Sequence, residues 1–317
     1  MDQNSTSLQS ENSLFERQHI PWVERNGFAH WVVAIVWIIL ALLAFQIIGG
    51  IFSVILILPK VADPTNIEAI QKALMENVDL AFIANSTGQL LMIGLATFLI
   101  VKLHAVKGRR LSFLRLQKGE NTLLITVLGL ILFLTAQPAV SFLGWVNSLV
   151  PMPDVFTEMQ TSMMDMITSF LKMDDVLIVG LFHIGIVPAV CEEILFRGYV
   201  MRSFEKSWGI VAAILVSGLF FGLYHIQLSN LLPLATLGIL LAYLTWVSDS
   251  LIPAMFAHLM NNGGQVVVGV LKPEYLDMTQ PEQFDMPLNL IILSFVVSGT
   301  LLYVMYKIKY SGTKTVE

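Results

Sequence analysis

Two adjacent glutamates and an arginine occur inside an apolar part of the chain, where ionisable side chains are unusual. The segment 188–198 reads PAVCEEILFRG and closes an apolar run that begins near Val176. Insertion of one such charge at membrane depth costs about 2.5 to 3.5 kcal/mol, so residues of this kind usually mark a functional site. The pattern therefore directs attention to Glu192, Glu193 and Arg197.

Helical geometry gives the two glutamates different surroundings. Glu193 precedes Arg197 by four residues, which is the favourable order for an ion pair on one helix face. Glu192 is rotated by about 100° from its neighbour and has no local partner of that kind. We expect Arg197 to neutralise Glu193, and we expect Glu192 to be available for chemistry.

Two further polar motifs lie in apolar segments downstream. Phe221 and His225 are four residues apart, as are His258 and Asn262, so each pair shares one helix face. A third histidine, His183, stands alone and is interpreted as a hydrogen-bonded packing residue. Three helices thus each present one polar face that could converge on a common cavity.

This set of side chains is suited to hydrolysis by an activated water molecule. A carboxylate in a low-dielectric site can accept a proton from water, and a neutral histidine beside it can hold that water. A second histidine and an amide supply donors to the oxyanion that forms when water attacks a peptide carbonyl. Glu192 with His225, and His258 with Asn262, would fill these two roles. No serine stands in a recognisable nucleophile motif, and Cys191 is interpreted as a packing residue.

A zinc site is the alternative use of the same residues. Glu192, His225 and His258 are acceptable zinc ligands. However, the sequence lacks the HExxH spacing that puts two histidines and a base on one helix. One cysteine in the whole chain excludes an intramolecular disulfide and a multi-thiolate site. We therefore favour a water-activating glutamate with no cofactor.

The composition is that of a polytopic helical membrane protein. Of the 317 residues, 56% are hydrophobic and 13% are charged, whereas soluble proteins have about 25% charged residues. Eight segments approach the ~20 apolar residues that a bilayer requires. They are 29–58, 81–103, 121–149, 176–199, 209–227, 231–247, 252–271 and 288–307. We predict an all-α membrane bundle of about eight transmembrane helices, with the catalytic residues on helices four, five and seven. Gly49-Gly50 and Pro138 are candidate break points.

The chain is expected to form one membrane-embedded domain over 28–310, with its catalytic core at 176–271. Polar cytoplasmic tails are expected at 1–27 and 311–317. Lysine and arginine concentrate in alternate loops and are densest at 102–120, so the positive-inside rule puts both termini in the cytoplasm. The first apolar segment is too long for a cleaved signal and fits an uncleaved anchor in a bacterial cytoplasmic membrane. Nothing suggests nucleic-acid binding.

In their order along the chain, the three motifs resemble those of a known protease family. The sequence has Glu-Glu-x-x-x-Arg at 192–197, Phe-x-x-x-His at 221–225 and His-x-x-x-Asn at 258–262. These are similar to the motifs of the CPBP (Abi) family, which contains the type II CAAX prenyl endopeptidases and their bacterial relatives. The resemblance covers about 176–271.

The resemblance implies an intramembrane endopeptidase built on an eight-helix bundle. The residues it implies as the water-activating glutamate, its partner histidine and two oxyanion stabilisers are Glu192, His225, His258 and Asn262. It implies supporting roles for Glu193, Arg197 and Phe221. The implied substrate is a membrane-associated peptide or protein, such as a prenylated CAAX protein or a bacteriocin or signal peptide. Membrane lipids are the other expected partner.

Two functions of other classes stay open on the residues alone. Intramembrane carboxylates and histidines also serve the proton path of a transporter, but such a path would spread protonatable residues over more helices than the three motif helices. The other alternative is a membrane scaffold or immunity protein that keeps the fold without catalysis. Loss of a motif residue would favour it, and every motif position is filled.

The predicted helix boundaries conflict at one point. A fourth span that ends at residue 199 puts Glu192 near its cytoplasmic end, whereas His225 lies near the external end of the fifth span. The two side chains cannot share a site at those depths. We therefore expect the fourth helix to run on through 201–204, or the fifth to end beyond Asn230.

Overall fold

The structure is a computed structural model that describes residues 20–173, 176–272 and 285–311. Over these ranges the secondary structure is helical and contains no strand, which confirms the all-α prediction. Most of the predicted N-terminal tail and nearly all of the C-terminal tail lie outside the described residues.

Every predicted span contains a long helical segment. The principal helices are α1 (His30–Ile57), α2 (Val78–Leu103), α3 (Thr122–Thr135), α4 (Gln137–Ser148), α5 (Asp154–Leu171), α6 (Val176–Trp208), α7 (Ile210–Tyr224), α8 (Leu231–Ser248), α9 (Ile252–Leu271) and α10 (Leu288–Ser311). Five helices are long and apolar enough to cross a membrane, namely α1, α2, α6, α8 and α10 among the described residues, or six spans if α3 and α4 count as one. Helix α7 is shorter, and α9 carries the polar motif of the seventh predicted span.

One of the two candidate break points is a real bend. Helices α3 and α4 meet at 48°, with Pro138 in the first turn of α4, because a proline cannot continue the hydrogen-bond ladder of the preceding helix. The break proposed at Gly49-Gly50 is wrong, since α1 runs through it without interruption. Instead, the lack of side chains at Gly49 and Gly88 lets α1 and α2 pack closely, because a Cβ on Gly88 of α2 would lie 3.3 Å from the Gly49 Cα.

Helix α6 is longer than its predicted span and resolves the conflict of depths. It continues beyond residue 199 to Trp208, so Glu192 lies near its middle. Gly209 then adopts a φ of +79° and turns the chain directly into α7, a conformation that glycine accepts readily. Of the two boundary corrections considered from sequence, the extension of the fourth helix is the one that occurs, and α7 ends at Tyr224.

Helices α7 and α8 pack with their backbones almost in contact. A Cβ on Gly238 would lie 2.8 Å from the carbonyl oxygen of Gly218, and a Cβ on Gly218 would lie 2.7 Å from the amide nitrogen of Ile239. Small residues allow this close approach of membrane helices. As a result, α8 brings backbone carbonyl groups close to the buried side chains of α6.

One end of the bundle carries the lysine- and arginine-rich segment 102–120, and we call it the basic end. This segment packs inward there, and Arg115 is 5% exposed. The Arg115 guanidinium donates to Asp249 at 2.6 Å and to Glu205 at 3.2 Å. The basic segment is therefore anchored to the loop between α8 and α9 and to the last turns of α6.

A chain of hydrogen bonds crosses the same end. Tyr199 Oη lies 2.9 Å from His104 Nε2, the Nδ1 atoms of His104 and His30 lie 2.9 Å apart, and His30 Nε2 lies 2.9 Å from Glu24. Burial is the main cause that lowers the pKa of His104 to about 3, so its ring is neutral. With a neutral His104 ring, all the hydrogen bonds of this chain are donated in one direction. Tyr199 donates to His104, His104 donates to His30, and His30 donates to Glu24.

Candidate active site

Both glutamates of α6 are buried in the middle of the bundle. Glu192 is 7% exposed and Glu193 is 0% exposed. The α-helical turns that hold them, Val187–Glu193, lie between two π-helical segments, Leu181–Ile186 and Ile194–Val200. Wider turns of this kind occur frequently at functional sites, because they rotate side chains away from regular helix positions.

The predicted ion pair on α6 is confirmed. Arg197 Nη1 donates to Glu193 Oε1 at 2.7 Å, and Arg197 Nη2 donates to the Gly238 carbonyl at 3.0 Å. The guanidinium carbon also lies 4.3 Å from the ring centre of Phe221, which is within the range of a cation–π contact. The charge on Glu193 is thus compensated inside the bundle, and Phe221 helps to hold the arginine.

Glu193 has a second partner that the sequence did not predict. His258 Nδ1 lies 2.8 Å from Glu193 Oε1, so one carboxylate oxygen accepts from both Arg197 and the histidine of α9. The two partners are 65 residues apart in sequence, and no spacing rule links them. The carboxylate therefore orients His258 as well as neutralising Arg197.

Glu192 faces the same histidine and a second one. Its Oε2 atom lies 3.9 Å from His225 Nε2 and 4.0 Å from His258 Nε2. This oxygen is buried and has no hydrogen-bond partner among the described residues. The structure thus brings Glu192, His225 and His258 together, whereas the depths assigned from sequence kept the first two apart.

Hydrogen bonds determine which ring nitrogen carries the proton in each of the two histidines. His225 Nδ1 lies 2.8 Å from the Phe221 carbonyl, and His258 Nδ1 lies 2.8 Å from the Glu193 carboxylate. Carbonyl and carboxylate oxygens only accept, so each Nδ1 carries the proton and each neutral ring leaves a lone pair on Nε2. Two lone pairs and one carboxylate oxygen therefore face one another in the site.

Asn262 adjoins the site one turn along α9. Its Nδ2 atom lies 3.1 Å from the Ile184 carbonyl and 3.2 Å from His258 Nε2. Because the Ile184 carbonyl only accepts hydrogen bonds, the Asn262 amide must present its nitrogen on that side. The second N–H of this nitrogen is then directed to His258. All four residues of the predicted catalytic set are thus brought together by α6, α7 and α9.

The two remaining polar candidates of α6 stay apart from this cluster. His183 Nδ1 lies 2.7 Å from the Ser86 hydroxyl of α2, as expected for a hydrogen-bonded packing histidine. Cys191 is buried, and its sulfur would lie 3.0 Å from a Cβ on Gly94. Over the ranges that the structure describes, no three His, Cys, Asp or Glu side chains form a ligand set for a metal ion.

Fold and site together define a helical integral membrane protein with a carboxylate and two histidines buried between its helices. The family model described as "Type II CAAX prenyl endopeptidase Rce1-like" matches residues 174–264, a range that contains every residue of the candidate site. The match confirms the resemblance to the CAAX prenyl endopeptidase (CPBP) family, a family of proteases, that the motifs indicated. No curated protein and no solved structure matches the chain.

Proposed function

We propose that this protein is an intramembrane endopeptidase that hydrolyses a peptide bond with a water molecule activated by Glu192 and His225. One observation carries the proposal: the buried Glu192 Oε2 atom has no hydrogen-bond partner in the described part of the chain, yet the Nε2 atoms of two histidines lie 3.9 and 4.0 Å away. A buried carboxylate oxygen without a partner is costly and usually indicates chemistry or a bridging water.

The separations favour a water molecule over a zinc ion. Two atoms bridged by one water through hydrogen bonds of about 2.8 Å lie roughly 4 to 4.5 Å apart. Two ligands of a tetrahedral zinc ion, each at about 2.05 Å, lie only about 3.4 Å apart. Zinc held by Glu192, His225 and His258 remains the alternative, and the experiment below distinguishes the two.

The proposed reaction uses the carboxylate as a base and then as an acid. Glu192 takes a proton from the water as its oxygen bonds to the carbonyl carbon, and the π electron pair moves onto the carbonyl oxygen. His258 and Asn262 are the proposed stabilisers of this oxyanion, which requires the Asn262 N–H that is directed to His258 Nε2 to turn towards the carbonyl oxygen. When the intermediate collapses, the C–N bond breaks and the proton on Glu192 passes to the leaving nitrogen. Glu193 would hold His258 in position throughout.

The proposed substrate is a membrane-associated peptide or protein that carries a lipid or an apolar segment. The family relationship supports a CAAX-type substrate, and a bacteriocin or signal peptide would fit the same chemistry. We also propose that the basic end faces the cytoplasm of a bacterium, because lysine and arginine concentrate on the cytoplasmic side of membrane proteins. Both chain termini would then be cytoplasmic.

The test uses full-length protein purified in detergent or liposomes and a panel of quenched peptides, prenylated and unprenylated. Wild type is compared with Glu192→Gln, which keeps the side-chain shape but cannot take a proton. Glu68→Gln, at an exposed glutamate far from α6 in sequence, is the matched control. We expect Glu192→Gln to lower kcat by about 10²- to 10⁴-fold, the range for loss of a general base.

Each assay is repeated with a strong chelator. Cleavage that requires Glu192 and is unaffected by the chelator supports the water mechanism. Cleavage lost on chelation and restored by added zinc would assign Glu192, His225 and His258 to a metal. Full activity of Glu192→Gln at wild-type stability, or no cleavage of any peptide by wild type, would refute the proposal.

A further inference from the structure

The donors expected to stabilise the oxyanion are already engaged. Asn262 has two N–H groups, and they are directed to the Ile184 carbonyl at 3.1 Å and to His258 Nε2 at 3.2 Å. His258 uses its own N–H on Glu193 at 2.8 Å. In the neutral state neither side chain therefore has a spare N–H for a developing negative charge, and the Nε2 atoms of His225 and His258 carry a lone pair and no proton.

The Tyr224 hydroxyl is a donor that is not used by any residue the structure describes. Tyr224 is 8% exposed, and its hydroxyl oxygen is buried without a hydrogen-bond partner among the described residues. The buried Oε2 atom of Glu192 also has no partner among these residues. A buried hydroxyl normally finds a partner, so a lone one calls for an explanation.

The Tyr224 ring packs against α6. It meets the ring of Phe196 edge-on, with centroids 5.2 Å apart. Phe196 follows Glu192 by four residues on α6 and contacts Phe221 at 5.3 Å. The Phe221 ring in turn lies 4.8 Å from the ring of His225 and 5.8 Å from that of His258. Tyr224 thus belongs to an aromatic cluster that adjoins both histidines of the site.

We propose that the Tyr224 hydroxyl is a further hydrogen-bond donor of the active site, and that it binds the carbonyl oxygen of the scissile peptide as negative charge develops there. The inference rests on the proposed peptidase function. The tyrosine proton is donated to the hydrogen bond but is not transferred. The water proton still passes to Glu192 and then to the leaving nitrogen, so the atoms of the hydrolysis balance without a further reactant.

If Tyr224 served only in packing, its hydroxyl group would not be needed. The ring alone makes the contacts with Phe196, and phenylalanine would make them equally well. An unpaired buried hydroxyl costs folding free energy relative to an apolar group of the same shape. Retention of the hydroxyl at this cost is expected where it serves a ligand, because active sites commonly keep groups that lower stability.

The experiment compares wild type with Tyr224→Phe, using an internally quenched farnesylated CAAX peptide and its unprenylated counterpart. Tyr243→Phe is the matched control, since the Tyr243 hydroxyl already donates to the Leu302 carbonyl at 2.7 Å. For Tyr224→Phe we expect kcat to fall by about 10²-fold, the loss typical of one oxyanion donor. KM should stay within about twofold, because the interaction is made in the transition state. Melting temperature should be equal to that of wild type or higher.

The outcomes separate this inference from the function on which it rests. Unchanged kcat in Tyr224→Phe, with wild type active and Glu192→Gln inactive, would overturn the donor role alone. A fall in kcat with a lower melting temperature would also overturn it, because that result indicates a packing defect. Failure of wild type to cleave either peptide would overturn the peptidase and the donor role together. A similar fall in kcat in Tyr243→Phe would show that the loss of any buried tyrosine hydroxyl slows the reaction. It would refute the assignment of Tyr224 as a donor to the oxyanion.

Discussion

The sharing of Glu193 between an arginine and a histidine leads to a prediction in which stability and activity separate. In Glu193→Gln, the amide oxygen can still accept from His258, but Arg197 loses the anion to which it is hydrogen-bonded. The guanidinium is 0% exposed and keeps the Gly238 carbonyl and the Phe221 ring as its nearest compensation. A buried charge is therefore left without its counter-ion.

The size of the effect follows from this burial. Removal of one partner from a buried ion pair costs about 3 to 5 kcal/mol, which lowers the folding equilibrium constant roughly 10²- to 10⁴-fold. Replacement of both partners by uncharged groups of similar size is often neutral. Glu193→Gln combined with Arg197→Met should thus recover most of the lost stability. It should not recover activity, because the hydrogen bond from His258 to a neutral amide is weaker than the charge-assisted bond to the carboxylate and orients the ring less firmly.

The assay measures unfolding of the purified variants by a denaturing-detergent titration, and peptide cleavage in parallel. Glu192→Gln is the reference, since it should lose activity and keep its stability. A double variant no more stable than Glu193→Gln would show that Arg197 does not depend on this carboxylate. A double variant with restored cleavage would show that the negative charge on residue 193 is not needed to orient His258. Either result would refute the reasoning.

Three further predictions concern packing, protonation and metal dependence. Gly238→Ala should lower stability by about 1 to 3 kcal/mol through overpacking and should reduce kcat. Gly50→Ala should do neither, because no atom lies within 4 Å of its added Cβ. Equal melting temperatures of the two variants would contradict the overpacking. Burial, together with His30 and Lys206, lowers the pKa of His104 to about 3, so the unfolded chain takes up the proton first and stability falls as the pH drops below about 6.5. The stability advantage of wild type over His104→Phe should shrink by about 2 kcal/mol from pH 7 to pH 5, measured by unfolding at both values; a constant difference would refute the buried neutral ring. Finally, cleavage should be unchanged after prolonged chelation, and a loss that zinc reverses would establish the metal alternative.

Local geometry was sufficient for the helices and for one contact of the site. Apolar segments of bilayer length predicted the positions of α1, α2, α6, α8 and α10, because lipid forces the backbone to satisfy its hydrogen bonds within each helix. The Glu193–Arg197 pair was predictable because two residues that are four positions apart on one helix lie at a fixed distance. Helix ends were less certain, and α6 extends nine residues past its predicted end at residue 199.

Contacts between helices were not predictable from spacing. The Glu193–His258 hydrogen bond, the engagement of both Asn262 N–H groups and the unpaired Tyr224 hydroxyl all depend on how α6, α7 and α9 are rotated and at what depth they meet. A glycine contact between α7 and α8 helps to set that arrangement. No pattern within one segment records it.

Composition was enough to identify a membrane protein, and helical periodicity was enough to group its glutamates, histidines and asparagine into three polar faces. The three-dimensional packing was needed to learn that Glu193 Oε1 is shared by Arg197 and His258. It was also needed to learn that Glu192 Oε2 and the Tyr224 hydroxyl have no partner among the described residues. A hydrogen bond forms or fails within a few tenths of an ångström, and that distance is set by packing between segments far apart in the chain.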